Sequence, residues 1–167
     1  MMLENNISQI AKNIRLLILD VDGVLTNGKI YVTAEGVEII QFHVHDGFGM
    51  RRLMQSGVEL AVISSRNTKA VVSRLEYLGV KHVFLGQTEK LDAYEILLKK
   101  LNLTAAQVAY MGDDLPDEPV MKKVALPITV PQAADEIKKI ALWQTQRKGG
   151  KGAVREVCDF IYHAKHS

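Results

Sequence analysis

Five short apolar runs recur along the chain: "LLIL" at Leu16–Leu19, "VELAVIS" from Val58, "HVFLG" from His82, "VAYMG" from Val108 and "LPITV" from Leu126. Segments with helical spacing separate them. "GFGMRRLMQSG" reads as a helix closed by Gly57, and "NTKAVVSRLEYLG" as one closed by Gly79. "EKLDAYEILLKKLNL" is amphipathic, and "PVMKKV", "AADEIKKIA" and "GAVREVCDFIYHAK" read as further helices. Strands that alternate with helices predict an α/β fold, a Rossmann-like three-layer sandwich with a mostly parallel sheet. One deviation interrupts the alternation. "KIYV" and "EIIQFHV", with "TAEG" between them, read as a small β-hairpin. "ALWQT" is a candidate last edge strand.

The 167 residues fit one domain, 1–167, with a sizeable core, and 47% hydrophobic and 24% charged residues is an ordinary globular composition. A net charge of +2 is too small to point to nucleic acid, and no apolar run is long enough to span a membrane. The start, "MMLENNISQIAKNI", reads as a short amphipathic helix rather than a signal peptide. Cys158 is the single cysteine, which excludes an intrachain disulfide and suits a reducing compartment. The expected location is cytoplasmic.

Against this apolar pattern, the first strand runs straight into Asp20 and Asp22, with Gly23 behind them. A buried carboxylate pair needs a cation, strong donors or water. Ligands of open α/β sheets bind at the carboxyl ends of the strands, and polar residues follow several other strands here. Ser64, Ser65 and Arg66 follow the second core strand, Lys90 opens a helix after the third, and Asp113 and Asp114 follow "VAYMG". Mg²⁺ takes oxygen ligands and keeps several waters, so Asp20, Asp113 and the backbone carbonyl of Asp22 suffice to hold it. A carboxylate that attacks phosphorus forms an aspartyl phosphate, and a second carboxylate two residues on can protonate the leaving group and then activate water. Ser64 can donate to a phosphoryl oxygen, and Lys90 can neutralise nucleophile and phosphate together. Each piece alone has a plainer reading: a turn with solvated aspartates, a helix cap, a solvent lysine, an acidic turn. Their order, each after its own strand, favours phosphoryl chemistry. A receiver domain uses similar groups, but its lysine comes last, whereas Lys90 precedes Asp113.

"DVDGVLT", "VISSR", Lys90 and "GDDLPD" resemble the four motifs of the haloacid dehalogenase-like phosphatases. "DVDGVLTNGKIYV", "FHVHDGFGMRRL", "GDDLPDEPVM" and "GGKGAVREVCDFI" resemble more closely the 3-deoxy-D-manno-octulosonate 8-phosphate phosphatase family, small capless enzymes of lipopolysaccharide sugar synthesis. The resemblance implies a Mg²⁺-dependent homotetramer acting on a small sugar phosphate. It implies Asp20 as nucleophile, Asp22 as acid/base, and Asp20, Asp22 and Asp113 as metal ligands. Its substrate contacts fall on Asp22, His43, Val44, His45, Asp46, Gly47, Arg51, Arg66, Arg74 and Lys90. His45 is commonly arginine in that family, and Ser65 commonly glycine. A phosphatase of a nine-carbon sugar acid phosphate, and a non-catalytic tetramerisation module like the tail of some acylneuraminate cytidylyltransferases, are the rival readings.

No lid domain fits between Asp22 and Ser64 or between Lys90 and Asp113, so cover for the substrate is expected from a neighbouring chain, with the hairpin edge suited to pairing. Arg51, Arg66 and Arg74 suit an acidic sugar, although Arg51 and Arg74 can equally be solvated helix residues. His43 and His45, expected on one strand face beside Asp46, lack a third and fourth partner at zinc spacing. "RKGGKGAVREV" from Arg147 is expected either to bring its glycines against a ligand, covering a neighbour's site, or to be a flexible loop before the last helix. On the first reading, removal of the chain from Gly149 onward leaves metal site and nucleophile in place.

Overall fold

The computed structural model describes residues 2–167, with side chains from residue 6 onward. The elements are α1 (Met2–Asn13), β1 (Leu16–Leu19), β2 (Tyr31–Val32), β3 (Glu38–Ile39), α2 (Val44–Gln55), β4 (Glu59–Ile63), α3 (Lys69–Leu78), β5 (His82–Phe84), α4 (Lys90–Leu101), β6 (Val108–Met111), α5 (Glu118–Met121), β7 (Leu126–Thr129), α6 (Asp135–Ile140), β8 (Trp143–Gln144) and α7 (Ala153–Lys165). Six strands form one sheet in the order β5-β4-β1-β6-β7-β8, and every pairing in it is parallel. The chain builds β1, β4 and β5 outward, then returns to lay β6 on the other side of β1. The strand order therefore reverses between β1 and β6, where open α/β sheets form their binding crevice. Residues Leu16 to Leu19 are all buried, as a central strand covered on both faces requires.

Helices α1, α2, α3 and α7 pack together, as do α4, α5 and α6, giving the three layers. Helix α7 buries Ala153, Val154, Val157, Cys158, Ile161 and Ala164 along one stripe, against α1 and α2. It is a core element, so truncation at Gly149 removes part of the core and does not isolate a tail function. The stretch is not a flexible loop: Gly149 and Gly150 pack against the loop that follows β1.

The hairpin is shorter than its sequence suggests. Only Tyr31↔Ile39 and Val32↔Glu38 pair, and the chain enters α2 at Val44, three residues before the expected start. His43 and His45 therefore share no strand face: His43 precedes α2 and His45 lies in its first turn. Ile39, Ile40, Phe42 and Val44 give the run 39–44 strand propensity, but Asp46 draws the backbone into a helix. Its buried carboxylate accepts from the N–H groups of Arg155 (2.8 Å) and Gly152 (3.4 Å) at the start of α7. Tertiary bonding overrides local preference here. No cap is inserted: the hairpin and α2 separate Asp22 from Ser64 within the long connections, and α4 with a short 3₁₀ turn precedes β6.

Candidate active site

The loop after β1 is a tight turn in which Thr26 N donates to Val21 O (3.0 Å), and the buried Thr26 hydroxyl accepts from Gly23 N and Gly28 N. Gly23 has φ +78°, and a Cβ there would lie 1.8 Å from Asp113 Oδ2. Glycine is thus required twice over, for the backbone conformation and for the approach of Asp113. Across the sheet, Asp20 N donates to Met111 O, so the ends of β1 and β6 stay zipped together where both carboxylates emerge.

Lys90 is the first residue of α4, a position where the helix dipole disfavours a cation. It is held there by two carboxylates, Asp20 (2.9 Å) and Asp117 (2.6 Å), and is 2% exposed. Burial pulls its pKa down, but the charges of Asp20 and Asp117 outweigh it and hold the ammonium above its ordinary value. Asp117 is saturated. Its Oδ1 accepts from Lys90 and Tyr110 Oη (2.6 Å), and its Oδ2 from the N–H groups of Asp113 (2.9 Å) and Asp114 (3.2 Å). A buried tyrosine inside "VAYMG" needs such a partner, which was the available signal for Asp117 in the sequence. Neither residue was singled out there.

Oxygens of Asp20, Asp113 and Asp117 lie within 4.8 Å of one another, the only such cluster among the described residues. Three carboxylates face one ammonium, which leaves two negative charges uncompensated. Burial first, then Asp117, push Asp20 up to about 7. Burial first, then Asp20 and Asp117, push Asp113 up to about 8. A divalent cation with oxygen preference fits this charge deficit. Because Asp117 has its lone pairs filled, Asp20 and Asp113 are the side chains free to hold it. The carboxylate of Asp22 points elsewhere: both its oxygens accept from Arg66 Nε, at 2.7 and 2.9 Å, while Arg66 Nη1 donates to Glu38 Oε2 at 2.6 Å. Ser64 is 1% exposed, with its hydroxyl accepting from Arg66 N (3.2 Å), and the Ser65 hydroxyl donates to Gln87 O.

Asp20, Asp22, Ser64, Lys90 and Asp113 thus line one cavity of about 280 Å³, and Arg66 reaches it through Asp22. The other expected substrate residues do not line it within one chain. His43, Asp46, Gly47 and Arg74 pack with Phe42 and Leu78, where a Cβ on Gly47 would sit 2.6 Å from Arg74 Nη2. Arg51 bonds the Tyr77 carbonyl and lies over the Tyr77 ring, and Val44 is exposed. His45 lines a larger surface groove of about 940 Å³ with Trp143, Arg147 and Arg155. That groove lacks the carboxylate–lysine cluster, so the smaller cavity is the candidate for chemistry.

The glycines of the 147–157 stretch do approach something closely, but it is the chain's own aspartate loop. A Cβ on Gly149 would lie 1.7 Å from Gly23 O, and one on Gly150 would lie 2.4 Å from Asn27 N. Gly150 N donates to Val24 O (3.0 Å). Gln132 completes the clasp, donating to Gly23 O (2.9 Å) and accepting from Gly149 N (3.3 Å). Gln132 was not anticipated, because nothing local marks it.

The haloacid dehalogenase-like hydrolase family matches residues 82–157. The 3-deoxy-D-manno-octulosonate 8-phosphate phosphatase of Yersinia pestis is 46% identical over 161 residues, which cover 96% of this chain and 86% of the relative. The enzyme of that name from Escherichia coli K12 is 48% identical over 155 residues, 93% of this chain and 82% of the relative. The chain belongs to the 3-deoxy-D-manno-octulosonate 8-phosphate phosphatase family. It is a phosphoric monoester hydrolase of the haloacid dehalogenase-like type. Among solved structures, the Moraxella catarrhalis phosphatase of this family, in complex with a magnesium ion, a phosphate ion and a KDO molecule, superimposes with a TM-score of 0.94. It is 41% identical, and the match covers 97% of this chain and 93% of that one.

Proposed function

We propose that this chain is a Mg²⁺-dependent phosphatase that hydrolyses 3-deoxy-D-manno-octulosonate 8-phosphate to the free sugar acid and phosphate, in lipopolysaccharide biosynthesis. The observation that carries the reading is Lys90 fixed between Asp20 and Asp117, beside Asp22 and Asp113, in a cavity at the strand-order reversal. Family membership supplies the substrate class.

Asp20 and Asp113, with the backbone carbonyl of Asp22, would hold the Mg²⁺, which offsets the negative charge of the phosphoryl group. Asp20 attacks phosphorus, the bond from phosphorus to the sugar oxygen breaks, and Asp22 gives its proton to that oxygen. The product is an aspartyl phosphate. Water then attacks phosphorus, Asp22 takes the water proton, the bond to Asp20 breaks, and inorganic phosphate leaves. Ser64 and Lys90 steady the phosphoryl oxygens.

The finer reading is a cytoplasmic homotetramer. No helix of the described residues is long and apolar enough to cross a membrane. Ile30, Tyr31, Val32, Val37 and Ile39 of the hairpin region, and Val44 and Phe48 of α2, are exposed, an apolar surface that suits contact between copies. His43, Val44, His45, Asp46, Gly47, Arg51 and Arg74 stand apart from their own cavity. On this reading, those with free groups meet the substrate of a neighbouring copy, and the rest hold the backbone that presents them. Phosphate release from a panel of eight-carbon and nine-carbon sugar acid phosphates tests the substrate. The eight-carbon compound should give the highest kcat/KM by at least about tenfold, since an extra carbon displaces either the phosphate or the carboxylate from its partners. Preference for the nine-carbon compound, or no turnover of any, overturns it.

A further inference from the structure

We infer that Glu38 is a positioning residue for the acid/base carboxylate, linking the hairpin to the chemistry through Arg66. Arg66 is the middle of a three-residue chain. Its Nε bonds both oxygens of Asp22, and its Nη1 bonds Glu38 on β3, 2.6 Å away. The Arg66 side chain is 11% exposed, whereas the side chains of Asp22 and Glu38 are 38% and 42% exposed. One carboxylate would balance one guanidinium. The second does something else: it holds the far side of the fork, so that Nε faces Asp22 and the planar group cannot turn. An exposed ion pair contributes at most about 1 kcal/mol to stability, so folding alone gives little reason for a residue of the exposed hairpin to be bonded here. Backbone bonds reinforce the placement from the other end, since Arg66 N donates to Ser64 Oγ inside the same cavity.

The consequence is directional. Glu38 sits opposite Val32 in the hairpin, whose flanking residues carry the exposed apolar surface. Whatever orders the hairpin orders Glu38, then Arg66, then Asp22. The site is therefore better aimed when the hairpin is seated against another copy.

This inference rests on the reading of Asp22 as general acid, and the two are tested in one experiment. The kcat/KM for a series of aryl phosphates reports steps up to departure of the leaving group. Good leaving groups such as p-nitrophenolate need little protonation, and poor ones such as phenolate need it most. Assembly of each variant is checked by light scattering. Glu38→Ala should lower kcat/KM by about thirtyfold for phenyl phosphate but only about threefold for p-nitrophenyl phosphate, a partial loss of the roughly 10²–10⁴-fold that general acid catalysis supplies. Glu38→Gln keeps the length and one acceptor and should recover part of the loss; it decides the matter if Glu38→Ala alters assembly. Asp22→Asn serves as the reference and should steepen the leaving-group dependence more than either. If Asp22→Asn steepens it and the Glu38 variants do not, or if they lower all substrates equally, the positioning role is refuted and the acid assignment stands. If Asp22→Asn leaves the dependence unchanged, both fall.

Discussion

Gly149→Ala is a one-methyl perturbation 129 positions from Asp20 in sequence, yet it should disable the enzyme. The new Cβ would lie 1.7 Å from Gly23 O and 2.6 Å from Gln132 Nε2. An ordinary carbon–oxygen contact is at least about 3.2 Å, so the two backbones must part by about 1.5 Å, and neither is a flexible side-chain end. That separation breaks the Gln132 bond to Gly23 O and strains the Gly150 bond to Val24 O. Two hydrogen bonds at about 1 kcal/mol each and an overpacking cost of about 1–3 kcal/mol give a loss of about 3–5 kcal/mol. For a domain of this size the melting temperature should fall by about 6–20 °C. Activity should fall further than stability, because Gly23 follows Asp22 and faces Asp113. Thermal unfolding gives the first quantity, and p-nitrophenyl phosphate turnover well below the variant's melting point gives the second. A variant that melts within about 2 °C of the wild type (well under the about 6–20 °C expected) and turns over normally would refute the clasp.

Asp20→Asn should abolish turnover while the fold persists, because Lys90 keeps Asp117 as a partner; circular dichroism and phosphate release check both halves, and more than trace turnover sinks the nucleophile assignment. Chelation should abolish activity, Mg²⁺ should restore it and Ca²⁺ should inhibit, since Ca²⁺ accepts six to eight ligands in a looser geometry; full activity in excess chelator contradicts the metal site. Asp117→Asn offers an amide where four donors converge, so two lose their acceptor, and chemical denaturation should show a loss of about 2–5 kcal/mol along with reduced kcat. Wild-type stability in that variant would show that Asp117 does not organise the site.

The sequence made the sheet and one end of the site legible because both depend on local order. Apolar runs alternating with helical spacing can fold in few ways, and Asp20, Ser64, Lys90 and Asp113 each follow a strand whose direction the alternation sets. The start of α2 was hidden because Phe42 and Val44 carry strand preference, and the interaction that defeats it joins Asp46 to Arg155, 109 positions away. Asp117 was visible as an acidic residue but not as the partner of Lys90 and Tyr110, since only packing brings α4 and β6 together there. The glycines at 149 and 150 were rightly suspected of a close approach. What they approach could not be read, because glycine spacing reports missing side-chain volume and says nothing of what fills it.

The clasp between the 149–152 stretch and the 23–27 loop also sets a schedule. Gly23 and Gln132 are 109 residues apart, and Gly149 is further still. On the ribosome, at about 5–20 residues per second, the aspartate loop emerges some 6–25 s before the segment that fastens it. For most of that interval the nascent chain has β1 and its carboxylates without β6 beside them, and throughout it lacks α7 behind them; such long-range closures are slow. A chain stalled before residue 149 would carry Asp20, Asp22 and Asp113 but not the Gly149 and Gly150 contacts that fasten the 23–27 loop. Hydrolytic activity is therefore expected only once the C-terminal helix has been made, and chains that end before residue 149 are expected to be inactive.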